Sequence, residues 1–131
     1  RRARDRSTSD ESKRKHRRAE LDYLREATEI PIDVGNLCMS LIDHSIFIFD
    51  QGFTSARGDS GAAIASAIAG VTSGVFVANL NLKSFGASKW KTSIEEQCEG
   101  LLFKLEEKQS DAFLKIVTLS GEEPTIMSFD L

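Results

Sequence analysis

SGAAIASAIAGVTSGVFVANLNL, residues 60–82, is a run of 23 residues without a single charge. As one helix it would extend about 34 Å, enough to cross a bilayer. Its composition argues against a span. It is rich in Ala, Gly and Ser rather than Leu, it contains Asn79 and Asn81, and few basic residues flank it. The run therefore predicts a central helix, buried on most of its sides by other helices. Ala62, Ser66, Gly70 and Gly74 fall on one i, i+4 ridge that lets a second backbone come close. A mid-helix glycine costs about 1 kcal/mol relative to alanine, so Gly70 and Gly74 imply a close approach that compensates. Asp59, immediately upstream, is placed to cap this helix.

Working back towards the start, Pro31 interrupts a long helical pattern. Proline disfavours helical geometry at the residue before it and is comfortable in a first helical turn. The sequence thus predicts one helix over 10–29, opened by a capping box at Thr8–Glu11, and a second over 31–51. The second carries its apolar side on Val34, Leu37, Cys38, Leu41, Ile42, Ile46 and Phe49. Gly52 suits a left-handed stop, and residues 53–58 read as a loop. Downstream, 83–91 is a basic connector, Thr92–Glu95 is a second capping box, and a last helix runs to about Leu119, where Gly121 ends it. The expected fold is an all-α bundle of about four helices around a buried small-residue helix. It forms one domain over 1–131, with a basic loop at 1–9, the bundle at 10–119 and a C-terminal tail at 120–131.

The chain has 131 residues, 40% of them hydrophobic, and a net charge of −3, which suits one folded domain and excludes disorder throughout. Cys38 and Cys98 form no CxxC and no disulfide framework, so two reduced thiols and a cytoplasmic location are expected. No apolar stretch follows the basic start, so no secretory signal is expected. The charge is uneven. Residues 1–18 hold nine Lys/Arg against three Asp/Glu, net +6, and residues 19–131 hold eight against seventeen, net −9. A basic arm on an acidic body suggests RNA binding as a lesser alternative, but the arm has no aromatic residue to stack on a base. His16 and His44 lack partners at metal-ligand spacing, so no metal is expected, and no phosphate-binding glycine loop is present. Gly58–Gly61 spells Gly-Asp-Ser-Gly, a serine-protease tetrapeptide that needs a β-barrel this chain cannot build.

Asp59 is the candidate for chemistry, as a carboxylate at the mouth of a packed groove that could serve as acid, base or counter-charge. Asn79 and Asn81 are polar residues within an apolar helix, two apart and so facing different ways. Lys83, Lys89 and Lys91 form a small basic patch after it.

Three segments carry a resemblance. ATEIPIDVGNLC (27–38), RGDSGAAIASAIAG (57–70) and LNLKS (80–84) occur in this order and at a spacing similar to the cyclodeaminase/cyclohydrolase family. This family comprises the cyclodeaminase domain of formimidoyltransferase-cyclodeaminase and bacterial methenyltetrahydrofolate cyclohydrolases. The resemblance covers about residues 5–115. It implies an all-helical homodimer acting on a one-carbon tetrahydrofolate as substrate, with no separate cofactor and no membrane. Asp59 matches the family's aspartate, Gly61 its glycine, Asn81 its asparagine and Pro31 its proline. Asp59 is then expected to be catalytic, and Asn81, Asn79, Lys83, Arg57 and Gly61 to bind substrate. The chain departs from the family pattern at Phe53, Gly58 and Val77. The family's helix with a glycine-rich Pro-Gly-Gly-Gly-Ser segment is not found, which implies a further partner, a chain carrying that helix. Beside the enzyme reading stands a non-catalytic interaction module.

Overall fold

A computed structural model describes residues 2–120, with side chains over 8–115. Of the expected tail at 120–131, Ser120 is still helical, and 121–131, with the expected stop at Gly121, lie outside the described residues. The chain forms α1 (Arg2–Gln51), a 3-10 turn (Thr54–Ala56), α2 (Arg57–Leu82) and α3 (Lys89–Ser120). The fold is all-α, with no strand among the described residues. It has three long helices rather than about four.

The missing boundary is Pro31, which lies inside α1. A proline within a helix leaves the carbonyl four residues earlier without its N–H partner. Here that carbonyl belongs to Ala27, and Asn81 Nδ2 of α2 donates to it at 3.1 Å. A side chain 54 positions away thus replaces the hydrogen bond that Pro31 removes. The upstream end differs too. Residues 2–9 are helical rather than a loop, so the Thr8–Glu11 box lies within α1.

Three other boundaries shift for local reasons. Among the described residues no glycine has positive φ, so Gly52 is not a left-handed stop. Its N–H donates to Ile48 O at 2.8 Å, and a Cβ there would collide with that same oxygen. Helix α2 starts at Arg57, with Ala56 at the capping position, so Asp59 lies in the first turn and is not the cap. A carboxylate there still complements the positive end of the helix dipole. Helix α3 starts before the Thr92 box, because Ser88 Oγ accepts the Lys91 N–H at 3.1 Å and acts as the cap.

Helices α1 and α2 run antiparallel and very close. A Cβ on Gly70 would meet Cys38 Sγ, and one on Gly74 would meet the Pro31 carbonyl oxygen. Helix α3 runs parallel to α1. Trp90 bonds Glu29, Lys108 pairs with Asp43, and Lys115 pairs with Asp50 at 2.6 Å, so the contacts advance together along both helices. The core joins Ile32, Met39 and Ile42 of α1 to Ala67, Val71, Val75, Ala78 and Leu82 of α2 and to Ile94, Cys98, Leu101 and Leu105 of α3. Burial and then Glu95 and Glu99 push the Cys98 thiol pKa up.

Helix α2 is not enclosed on most sides. Its buried stripe is Ser60, Ile64, Ala67, Val71, Gly74, Val75, Ala78 and Leu82. Ala62 and Ser66, on the predicted ridge, are exposed, as are Phe76, Val77 and Leu80. Two neighbouring helices cover two flanks of a cylinder and leave a third open. By length and hydropathy α2 and part of α1 could each cross a membrane, a test that the core helix of a bundle also passes.

Candidate functional site

Asp59 sits where α2 begins, beside the C-terminal half of α1. The chain reaches this point through Gly52 and the 3-10 turn, which reverse its direction. Asp59 lines an open groove of about 320 Å³ with Leu41, Ser45 and Ile48 of α1 and Ala56, Ser60 and Ala63. The groove is apolar because α1 turns Leu41 and Ile48 outward, on the flank that α3 does not cover. Ser60 is directed elsewhere, its hydroxyl donating to Ala56 O at 2.9 Å. Asp59 is therefore an exposed carboxylate on the rim of an apolar slot of ligand size. Such an arrangement can hold a flat, mostly apolar ring system and place a carboxylate beside a positive or protonating centre.

Arg57 does not share this site. Two residues apart on a helix, Arg57 and Asp59 point about 160° apart. The Arg57 guanidinium lies over the Phe49 ring, 5.6 Å from its centroid. Gly61 is half-exposed, and a Cβ there would meet open space, so packing does not require a glycine.

Asn79, Asn81 and Lys83 lie at the opposite end of α2, about 33 Å from Asp59 along the axis. Asn79 and Lys83 are exposed, whereas Asn81 is half-buried with its amide on the Ala27 carbonyl. One chain thus carries its candidate residues at two separated ends of α2: Arg57, Asp59 and Gly61 at the first, Asn79, Asn81 and Lys83 at the second. The basic connector has local work: Lys91 Nζ donates to Phe85 O at 3.2 Å.

Sequence reading missed the cluster that ties this connector to α1. The Trp90 indole N–H donates to Glu29 Oε1 at 2.7 Å, Arg25 stands 5.1 Å from the Trp90 ring centroid, and Phe85 is 4.7 Å from it. Below it, Glu29, Asp33, Ser93 and Gln97 line a polar recess of about 320 Å³ floored by Ile32 and Ile94. The available signal was the i, i+4 spacing of Glu29 with Asp33 and of Ser93 with Gln97. His16 and His44 each donate from Nδ1 to a carbonyl of their own helix, Ser12 O at 2.8 Å and Ser40 O at 2.7 Å. No group of three or more His, Cys, Asp or Glu is arranged to hold a metal among the described residues.

Taken together these features define a small helical domain with a carboxylate-edged apolar groove at one end of a tight two-helix seam. The family model described as formiminotransferase-cyclodeaminase matches residues 2–100. The chain belongs to this family, which points to a folate-related one-carbon function. No curated protein matches the chain, and no solved structure does.

Proposed function

We propose that this protein is a cytoplasmic, cofactor-free enzyme of one-carbon tetrahydrofolates. It cyclodeaminates formimidoyltetrahydrofolate, or hydrolyses or forms methenyltetrahydrofolate. The observation that carries this is Asp59 on the rim of the Leu41–Ile48–Ala63 groove in a chain of this family. The groove takes the pterin. In cyclodeamination, N10 attacks the N5-bound carbon, ammonia departs once it is protonated, and the methenyl cation remains. Asp59 delivers the proton and its carboxylate then balances the cation. In the hydrolytic direction the same group takes a proton from the attacking water.

The working unit is a homodimer, or a larger assembly that includes a chain supplying the family's glycine-rich helix; no membrane takes part. Ile30, Val34, Leu37, Leu41 and Ile48 make an exposed apolar stripe on α1, and Val77 and Leu80 extend it on α2. Asp59 and Asn81 are equally far in sequence from Gly70. A second copy laid antiparallel on this face brings its own Asn79–Lys83 end towards Asp59, where Lys83 meets the anionic tail of the folate.

The test is the absorbance of methenyl product formed by the parent chain and by Asp59→Asn, with melting curves on the same samples. Asp59→Asn is expected to lose about 10²-fold or more in turnover. Its stability should fall by no more than about 1 kcal/mol, the worth of a charge in the first helical turn. Parental turnover by Asp59→Asn removes the catalytic role. Sedimentation as a monomer at micromolar concentration removes the dimer. A second reading, a non-catalytic interaction module, is favoured by the engagement of Asn81 with Ala27 and by Gly58, Phe53 and Val77. It takes over if the parent chain neither turns over nor binds folate when the glycine-rich helix is supplied in trans.

A further inference from the structure

The first turns of α1 stand apart from the bundle. Every described side chain from Thr8 to Glu20 is exposed, and the first half-buried ones are Leu21 and Leu24. Helix α2 ends beside Ala27, and among the described residues no other helix runs alongside the segment upstream of these leucines; Phe85 of the connector reaches only as far as Arg18. This free segment contains Lys13-Arg14-Lys15-His16-Arg17-Arg18, five fixed positive charges in six residues. None of the five is paired with a carboxylate among the described residues. Instead Lys13 faces Arg17, and Arg14 faces Arg18, at i, i+4. Such like-charge pairs each destabilise a helix by roughly 0.2–0.5 kcal/mol. Unpacked helices of this length are marginal in water even without repulsion. Asp10 with Arg14, Glu11 with Lys15 and Arg18 with Asp22 stand at the same spacing with opposite charge and offset this repulsion, so the segment is a helix that the described bundle leaves unpacked and that carries a concentrated positive charge. A polyanion supplies the counter-charge and the contact surface it lacks.

The distribution of charge selects the kind of polyanion. At 100° per residue, the five charges fan over about 200° of the helix circumference, with Lys13 and Lys15 on nearly opposite sides. A flat surface would engage a fraction of them. The major groove of duplex DNA is about 12 Å wide, matches a helix 10–12 Å across, and has phosphates on both walls. The major groove of duplex RNA is deep and too narrow for the same entry. A single strand is held by aromatic stacking, and the charged run 13–18 contains no Phe, Tyr or Trp. At the base of the free segment, Arg18 and Arg25 flank a recess of about 240 Å³ with Leu21, Asp22 and Phe85. Arg25 is held there by its stacking on Trp90. A phosphate at the groove's edge meets the Arg25 guanidinium, oriented by Trp90, and Arg18 beside it where the helix leaves the bundle, with Asp22 on the same rim.

We propose that residues 13–25 of α1 form a duplex-DNA-binding helix that reads the backbone across the major groove. The inference is independent of the folate chemistry. The test is fluorescence anisotropy of a labelled mixed-sequence DNA duplex of about 20 base pairs, the matching RNA duplex, and one DNA strand alone. The DNA duplex should bind tightest. With five phosphates neutralised, its affinity should fall roughly 500-fold between about 50 and 200 mM salt. The variant K13Q/R14Q/K15Q/R17Q/R18Q should keep its helical spectrum and melting temperature, because these side chains are exposed and none is part of the core, and should lose binding by about 10²-fold or more at the lower salt. The proposal is overturned by any of four results: no duplex binding at low salt, unchanged binding by the variant, equal or tighter binding of the single strand or the RNA duplex, or binding confined to vesicles containing phosphatidylserine.

Discussion

The two seams of α2 are built on different principles. Against α1 the contact is backbone to backbone: Gly74 faces the Pro31 carbonyl, Gly70 admits Cys38, and Asn81 bonds the Ala27 carbonyl. Against α3 it is side chain to side chain, and it leaves an apolar groove of about 290 Å³ lined by Ile64, Ala65, Ile68, Gln109, Ala112 and Phe113. The difference teaches where this small domain is rigid. A seam closed by glycines and a carbonyl has no rotamers with which to absorb change, whereas a seam closed by Ile, Gln and Phe has many.

This contrast can be broken most severely at Gly74. Gly74→Ala puts a methyl into the Pro31 carbonyl, which cannot move without moving α1, and is expected to cost about 1–3 kcal/mol in denaturant melts. Gly70→Ala meets the Cys38 side chain instead and should cost less, with part restored by adding Cys38→Ala. Next in size is Asn81→Ala, which leaves the Ala27 carbonyl short of a donor and should cost about 1 kcal/mol. The cost should shrink in a Pro31→Ala background, where the alanine N–H can serve Ala27. A coupling energy near zero in that double-mutant cycle would show that Asn81 and Pro31 are not partners. At the α2/α3 seam the effects should be small. Ala65→Val enters open groove and should change stability by less than about 0.5 kcal/mol. Smallest is Lys115→Met, which removes the exposed ion pair with Asp50 and should cost between 0 and about 1 kcal/mol, less in high salt.

The helical class was legible because its signal is periodic and long. Residues 60–82 have no charge to interrupt them, and Ile94, Cys98, Leu101 and Leu105 recur at helical spacing and are buried. Other apolar positions on the same pattern, among them Val34, Leu37, Leu41, Leu102 and Phe113, are exposed. Periodicity names a helix and its apolar flank, but whether a neighbour covers that flank is a property of the assembled bundle. The candidate site was legible as residue types and not as a constellation. Asp59 and Asn81 stand in one helix, and helix length alone keeps them apart; the stacking of Arg57 on Phe49 joins α2 to α1. The Arg25–Trp90–Glu29 cluster joins residues more than 60 positions apart and has no local signature.

The sequence by itself determined that the chain is helical, where its long apolar run lies, that Gly70 and Gly74 expect a close neighbour, and to which family it belongs. These follow from local spacing, side-chain size and motif order, all of which are properties of neighbours in the chain. Only the tertiary structure decided that Pro31 does not break α1. A proline's local effect is to strand a carbonyl, and local rules must read that as an end. Whether the stranded carbonyl finds another donor depends on which side chain arrives from elsewhere in the fold, and here it is the amide of Asn81.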